Sequence, residues 1–156
     1  MIEVWYKRFT KQHLYDLINK SADPLLKTFC TLWEERNYWD KFPPYVFIDE
    51  NNNLCGLIAY TVNDKYKDAV KIYYLYVDEL HRGKNIGKKL CNFIFDKFKS
   101  QVSYFIYVTD TTTDGKYLFE RFRNDPFSEV YEKQNEFNGT DIVYKISMNR
   151  LKLFEI

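Results

Sequence analysis

One stretch, from Ile72 to Phe98, constrains the fold more than any other part of this 156-residue chain. It opens with Ile72-Tyr73-Tyr74-Leu75-Tyr76-Val77, a run of β-branched, aromatic and aliphatic residues that is typical of a buried strand. It closes with apolar residues at helical spacing, which predict one buried helix face: Ile86, Leu90, Phe93, Ile94 and Phe98. The stretch therefore predicts a strand that leads through a polar connection into a helix.

The connection itself carries the features of an anion-binding site. Two of the chain's five glycines, Gly83 and Gly87, lie in it, with Asn85 between them. Because Asn tolerates a left-handed backbone better than other side chains, all three positions can bring backbone N–H groups close to a ligand. The N-terminus of the following helix adds unpaired N–H groups and a positive dipole end, which favour phosphate.

Basic side chains surround this connection: Arg82, Lys84, Lys88 and Lys89. The same pattern also fits an ordinary strand-to-helix turn with a solvated basic rim, so spacing alone leaves both interpretations open. Two named phosphate motifs are absent from the sequence, namely the Walker loop Gly-x-x-x-x-Gly-Lys-Ser/Thr and the dinucleotide fingerprint Gly-x-Gly-x-x-Gly. Any phosphate site here must be of another kind.

Residues 82–90, Arg-Gly-Lys-Asn-Ile-Gly-Lys-Lys-Leu, resemble the acyl-CoA-binding motif of the GNAT family of N-acetyltransferases. That motif is Arg/Gln-x-x-Gly-x-Gly/Ala, and Asn85 stands where its first glycine is expected. The resemblance implies that the CoA pyrophosphate binds to Arg82, Gly83, Lys84, Asn85, Ile86, Gly87 and Lys88. It also implies that the pantetheine arm pairs with the backbone of the preceding strand end, at Leu75, Tyr76 and Val77.

The same resemblance implies an α/β (α+β) fold of the acyl-CoA N-acyltransferase type. Such a fold has a mixed, mostly antiparallel sheet with a central splayed pair of parallel strands, is flanked by helices, and holds its cofactor between the splayed strands. The hydrophobic pattern agrees with this element order. It predicts strands at residues 2–7, 45–49, 54–62, 70–77 and 104–108, and a final hairpin of residues 129–133 and 142–147.

Helices complete the predicted order of elements. Thr10 is a candidate N-cap for a helix that carries Leu14, Leu17 and Ile18, and Asp23-Pro24 marks the start of a second helix. The helical crossover makes the strand at 104–108 parallel to the strand that precedes the motif. A further short helix is expected around Phe119, ended by Asn124-Asp125-Pro126.

Length, charge and hydropathy limit the functional classes. The length predicts a single domain, 1–156, and the net charge of +1 argues against a general nucleic-acid surface. No apolar run reaches about 18 residues, and the N-terminus lacks the features of a signal peptide. We therefore expect a cytoplasmic protein with no membrane segment, while monomer and homodimer both stay open.

Cysteine and histidine usage gives no metal motif. Cys30, Cys55 and Cys91 are widely separated, and the only histidines are His13 and His81. Without a Cys-x-x-Cys spacing, the sequence predicts reduced thiols and no metal site. His81, next to a basic loop, is expected at the surface.

The segment from Glu34 to Pro44 combines acidic and aromatic side chains and ends at two prolines. One interpretation is a loop packed against the sheet. The other is a pocket for a cationic amine, which the resemblance supports, since this region helps to form the acceptor site in the family.

The catalytic acid is the least defined part of the sequence. Many family members carry a Tyr in a pattern like Asn-x-x-Ala-x-x-Leu-Tyr-Glu-Lys-x-Gly-Phe on the helix after the second parallel strand. The better match, at residues 118–122, puts Phe119 at the Tyr position and Thr112 at the Asn position, both next to the cofactor. A register two residues earlier puts Tyr117 at the Tyr position and Asp110 at the Asn position, and makes Tyr117 the candidate acid. Candidate bases are Glu34, Glu35, Asp110 and His81, or a chain of water molecules.

The resemblance implies direct transfer of an acetyl group from acetyl-CoA to a primary amine of a small molecule or a protein. Two alternatives lie close to it: a CoA-binding module that has lost catalysis, because Phe119 has no proton to give, and a toxin-like member that acetylates aminoacyl-tRNA. A third, unrelated alternative is a nucleic-acid binder that uses the locally basic segment from Arg82 to Lys99.

Overall fold

The computed structural model describes residues 5–8, 10–20, 23–110 and 115–156. Within these ranges the strands are β1 (Trp5–Arg8), β2 (Tyr45–Ile48), β3 (Leu54–Val62), β4 (Ala69–Val77), β5 (Tyr104–Asp110), β6 (Ser128–Gln134) and β7 (Thr140–Ser147). The helices are α1 (Lys11–Asn19), α2 (Pro24–Glu35), α3 (Tyr38–Lys41), α4 (Ile86–Phe98) and α5 (Gly115–Phe119), with 3-10 turns at Glu79–His81 and Glu120–Asn124.

The seven described strands form one sheet in the order β1-β2-β3-β4-β5-β7-β6. β1 with β2, β2 with β3, β5 with β7 and β6 with β7 pair antiparallel. β4 and β5 pair in parallel, as expected for two strands connected by a helical crossover. This mixed, mostly antiparallel sheet flanked by helices confirms the predicted fold class.

The register of the parallel pair covers four residues of each strand. Ala69 pairs with Tyr104 and Ile72 with Tyr107, which are the first and last partners in the register. β4 continues beyond this point to Val77, and β5 continues to Asp110. The parallel register thus covers the first part of each strand.

Contacts divide the chain into two compact units. The first contains the described residues up to Tyr60 and residues 74–91, and its helices pack through predicted apolar faces. Thr10 caps α1 by accepting a hydrogen bond from the N–H of His13 at 3.2 Å, and Leu14, Leu17 and Ile18 are buried. The cap and the start of α2 at Pro24 are both confirmed.

The second unit contains residues 61–73 and 92–155. Its final hairpin turns at Asn138-Gly139, and the side chain of Asn135 stabilises the turn by accepting hydrogen bonds from the N–H groups of Phe137 and Gly139. β7 lies between β6 and β5, with Tyr144 opposite both Val130 and Tyr107. The predicted hairpin is therefore confirmed.

Left-handed backbone is supplied mostly by Asn in this chain. Among the described residues, positive φ angles occur at one glycine, Gly83, and at six others: Asn37, Asn52, Asn63, Asp68, Asn85 and Asn138. Asn and Asp tolerate this conformation because their short polar side chains bond locally. A chain with few glycines can in this way still make tight turns.

The segment from Glu34 to Pro44 is more ordered than a loop. α2 runs to Glu35, and α3 adds a short helix whose Tyr38 is buried. The indole N–H of Trp33 donates a buried hydrogen bond of 2.9 Å to the carbonyl of Phe42. The interpretation of this segment as a loop packed against the sheet was wrong in its secondary structure, because four helical residues are too few to give a periodic pattern.

None of the described helices combines the length and the apolar character needed to cross a membrane.

Candidate functional site

The loop of residues 82–85, between the 3-10 turn after β4 and helix α4, has the backbone conformation of an anion site. Gly83 has a φ of +80° and Asn85 a φ of +61°, which confirms the left-handed position predicted at Asn85. The carbonyl of Asn85 accepts a hydrogen bond of 2.9 Å from the N–H of Lys89, so helical bonding in α4 begins here. The first N–H groups of a helix have no acceptor within it. Arg82 and Lys84 are exposed beside this helix start.

A glycine on β3 lets α4 begin close to the sheet. A Cβ on Gly56 would lie 2.8 Å from Ile86 Cγ2, 3.0 Å from Leu90 Cδ1 and 3.1 Å from the carbonyl oxygen of Tyr76. Real Cβ atoms essentially never come within 3.0 Å of another atom, so the contact with Ile86 allows only glycine here unless α4 shifts. Gly56 was not predicted as part of the site, although an isolated glycine inside a strand pattern is a signal of close approach.

A buried histidine lies between two carboxylates directly before the loop. His81 is 7% exposed and Asp49 is 9% exposed. The Nδ1 atom of His81 lies 3.1 Å from Asp78 Oδ2, and its Nε2 atom lies 3.7 Å from Asp49 Oδ2. Asp78 also accepts hydrogen bonds from the N–H of Leu80 and the hydroxyl of Tyr76, both at 3.2 Å. The network connects the turn after β2 to the segment that leads into the loop.

The expectation that His81 is a surface residue was wrong. Its sequence neighbours on the C-terminal side are charged, polar and exposed, so the local pattern predicted a solvated position. The ring turns inward because Asp49, which is 32 positions away in the sequence, supplies a polar partner inside the fold.

Asp49 is held as an anion although it is buried. Burial raises its pKa, but hydrogen bonds from Asn53 and Asn51 together with the nearby His81 outweigh this effect, so the pKa is lowered. Asp49 Oδ1 accepts the backbone N–H of Asn51 at 2.8 Å and that of Asn53 at 2.9 Å. Donor atoms of Asp49, Cys55 and His81 all lie within 4.8 Å of one another. Burial raises the pKa of the Cys55 thiol to about 11, so the thiol is protonated at neutral pH.

The end of β4, where the pantetheine arm is predicted to bind, belongs to the same unit as the loop. Tyr76 is 9% exposed, whereas Leu75 and Val77 are half-buried. The N–H of Asp78 donates to the carbonyl of Cys55 at 2.8 Å, which fixes this end of the strand against β3. A cleft of about 560 Å³ beside the loop is lined by residues that include Asn53, Tyr76 and Lys84.

Phe119 lies in the second unit, inside an aromatic cluster. Its side chain is 0% exposed, and its ring stacks on Tyr107 with a centroid separation of 4.1 Å and an interplanar angle of 14°. The Tyr144 and Phe154 rings also contact it, at 5.8 and 5.4 Å. Phe119 thus has no accessible surface here, and its predicted contact with a cofactor would require this cluster to open.

The residues of the alternative register, Tyr117 and Asp110, lie in a different environment from Phe119. Tyr117 is 71% exposed, two residues before Phe119 on the same short helix. Asp110 ends β5 and is exposed, while Thr112 lies outside the described residues. The roles of all four residues stay predictions.

The acidic and aromatic segment that was expected near the acceptor lies at the other end of β2 from the loop. Pro44 precedes Tyr45, which pairs with Ile58, whereas Ile48 pairs with Leu54 at the end nearest the loop. These ends are separated by about 10 Å of strand. A cleft of about 500 Å³ lies there, but its Glu34 carboxylate already forms a salt bridge with Lys11.

Comparison with known proteins gives the same family as the loop motif. The model of the acetyltransferase (GNAT) family matches residues 12–123, and no curated protein sequence matches significantly. A Bacillus subtilis acetyltransferase solved with CoA has a TM-score of 0.65 and 14% identity, over 94% of this chain and 99% of that one.

Two further structures share the fold at low identity. A spermidine/spermine N-acetyltransferase from Vibrio cholerae has a TM-score of 0.65 and 13% identity, over 94% of this chain and 93% of its own. The ribosomal-protein-S18-alanine N-acetyltransferase from Escherichia coli has a TM-score of 0.62 and 12% identity, over 99% of this chain and 100% of its own. These likenesses concern the fold, whereas the family model spans most of the sequence, and the chain therefore belongs to the GNAT acetyltransferase family.

Proposed function

We propose that this protein is an N-acetyltransferase that moves an acetyl group directly from acetyl-CoA to a primary amine. The observation that carries the proposal is the loop of residues 82–85, in which two left-handed residues lead into the N-terminus of α4. Backbone N–H groups and the helix dipole both favour the CoA pyrophosphate at this position. Arg82, Lys84 and Lys88 would supply the matching positive charge.

The reaction itself needs few catalytic side chains. The amine nitrogen attacks the thioester carbonyl carbon, the C–S bond breaks, and the CoA thiolate leaves with the electron pair and takes up a proton. Backbone N–H near Val77 is our candidate to polarise the carbonyl. A neutral amine held next to the thioester gains most of its rate from proximity, and a water chain can accept its proton.

The proton donor to the leaving thiolate is our least constrained assignment. Tyr117 has an exposed hydroxyl two residues from the favoured position, which makes it the first candidate. Tyr107 is the second, since its ring stacks against Phe119, the residue that occupies the family's Tyr position. Tyr144 is a poor donor, because its hydroxyl is already bonded to Glu120 at 2.7 Å and its pKa is raised by burial.

The acceptor is a primary amine of a small molecule or a protein. Both types occur in the names of the fold neighbours, as spermidine in the Vibrio cholerae enzyme and as a ribosomal-protein alanine in the Escherichia coli enzyme. The three described cysteines are free and buried, which suits a reducing compartment such as the cytoplasm.

A specific observation supports a second candidate, a CoA-binding module without transferase activity. The Phe119 side chain has no acidic proton to donate, and it is fully buried in the aromatic cluster. Such a module would bind acetyl-CoA and release no thiol when amines are added. An enzyme that acetylates aminoacyl-tRNA is a third candidate, against which the net charge of +1 argues.

Thermal unfolding with and without acetyl-CoA tests the cofactor site first. Ligand at about 100 times its Kd stabilises the folded state by roughly 2.7 kcal/mol, which raises the Tm by several degrees. Gly87→Trp and Lys84→Glu should each reduce the shift. Lys65→Glu, an equal charge change at an exposed lysine of the β3–β4 turn, should retain it.

An assay of free-thiol release with a panel of amines then separates the candidates. Release that depends on an amine supports the transferase. A thermal shift without release identifies the binding module. A folded wild-type protein that shows no shift in millimolar acetyl-CoA would contradict both.

A further inference from the structure

Three potential metal-binding atoms from separate parts of the first unit converge inside it. Asp49 follows β2, Cys55 lies in β3, and His81 ends the turn before the loop. All three side chains are buried, and one donor atom of each lies within 4.8 Å of the other two. They offer an oxygen, a sulfur and a nitrogen, which together suit a borderline ion such as Zn²⁺.

The contacts of His81 orient its ring in this cluster. Asp78 Oδ2 lies 3.1 Å from Nδ1 and can accept the N–H of that atom, which leaves Nε2 as the ring atom available to a metal. The Nε2 atom lies 3.7 Å from Asp49 Oδ2. One nitrogen and one oxygen ligand atom therefore face each other inside the first unit.

We propose that Asp49, Cys55 and His81 bind a divalent metal ion of the zinc class. With the thiol deprotonated, two anionic ligands balance the charge of the ion, so the buried site is neutral. Bonds of about 2.0–2.3 Å in a tetrahedral site place donors about 3.3–3.8 Å apart. The separation of 3.7 Å between Asp49 Oδ2 and His81 Nε2 lies within this range. The Cys55 sulfur, within 4.8 Å of a donor atom of each of the other two residues, would have to approach them by up to about 1–1.5 Å.

The surroundings of the three ligands also suit a metal site. A histidine that binds a metal usually donates its other ring N–H to a carboxylate, as His81 does towards Asp78. Asp49 is oriented by two backbone N–H groups, those of Asn51 and Asn53. Asp49 and His81 both line the cleft of about 560 Å³, which offers an entry path and room for water as a fourth ligand.

The ion would tie three segments together. His81 directly precedes Arg82, so a metal at this point would anchor the start of the anion loop to β3 and to the turn after β2. This proposal concerns metal binding alone and stands independently of acetyl transfer.

Cobalt binding to the whole protein tests the site directly. Wild-type protein freed of metal with a chelator is titrated with Co²⁺, which gives a thiolate-to-cobalt charge-transfer band if Cys55 ligates it. We expect one equivalent to bind, Zn²⁺ to displace it, and Zn²⁺ to raise the Tm. Asp78→Asn, which weakens the support of His81, should raise the Kd for Co²⁺ by about 10–100-fold.

Cysteine variants assign the band. Cys55→Ser should abolish it, whereas Cys30→Ser and Cys91→Ser, at the two other buried cysteines, should retain it. If Cys55→Ser does not fold, His81→Asn provides the same test through loss of affinity. The proposal is overturned if folded wild-type protein gives no band, or if the band survives in Cys55→Ser.

Discussion

The loop of residues 82–85 and the aromatic cluster around Phe119 are built on opposite principles. The loop exposes backbone and charge, and a buried polar network of Asp49, His81 and Asp78 supports it. Phe119 sits among rings and has no exposed side-chain surface. The first region has the left-handed backbone and the basic side chains that the proposed cofactor site requires, whereas the second contributes packing. Phe119 therefore offers no proton donor to a bound thioester, and the proton must come from another group.

Truncation of Phe119 should give the largest effect on stability. Phe119→Ala removes a fully buried ring and leaves a cavity, which costs about 3–5 kcal/mol. Tyr117→Ala, at a side chain 71% exposed, should change stability by about 0.5 kcal/mol or less. Urea unfolding measures both, and similar losses would remove the distinction between a packing and a surface residue.

Gly56→Ala should have the next largest effect and should act on the loop. The new Cβ would overlap Ile86, so the start of α4 must move, at a cost of about 1–3 kcal/mol. The thermal shift with acetyl-CoA should shrink as well. Gly139→Ala, whose Cβ has only the Asn135 side chain as its nearest contact, is the matched control. If acetyl-CoA raises the Tm of Gly56→Ala as much as that of the wild type, the close approach of α4 to β3 does not matter for binding.

Substitution of Asn85 tests the left-handed backbone of the loop. At a φ of +61°, Asn85→Ala should cost about 1 kcal/mol, whereas Asn85→Gly should stay within about 0.5 kcal/mol of the wild type. Unfolding curves and acetyl-CoA titrations of both variants check this. Equal losses in the two variants would point to the Asn side chain rather than to the backbone.

The smallest expected effect is on acid stability. The pKa of Asp49 is lowered in the folded state, so its contribution is present above the unfolded pKa of about 3.9 and is lost as the pH falls below that value. In Asp49→Asn the unfolding free energy should decrease less between about pH 5 and pH 3 than it does in the wild type. The effect of Glu120→Gln should be smaller, because the Arg123 and Tyr144 partners that lower its pKa act on an exposed carboxylate. A larger effect of Glu120→Gln than of Asp49→Asn would contradict the burial of Asp49 and the exposure of Glu120.

Sequence reasoning succeeded where the determining interactions are local. The strand, the loop and helix α4 were predicted because β-branched runs, Asn and Gly placement and helical spacing are read within a few residues. The burial of His81 could not be predicted, since it depends on Asp49, 32 positions away. At Gly56 an isolated glycine inside a strand pattern is a local signal of close approach, but the residues that approach it come from β4 and α4 and cannot be identified locally. A metal site made of Asp49, Cys55 and His81 has no recognisable spacing at all.

The use of Asn for left-handed turns has a consequence for the unfolded chain. Glycine loses more backbone freedom on folding than any other residue, so each turn made with Asn starts from a narrower unfolded ensemble. The small strain of Asn85 in the folded loop is thus offset by a smaller entropic cost of ordering it. Since a loop ordered before its ligand arrives loses less freedom on binding, Asn85 would make the anion site more rigid than the glycine that the family motif expects.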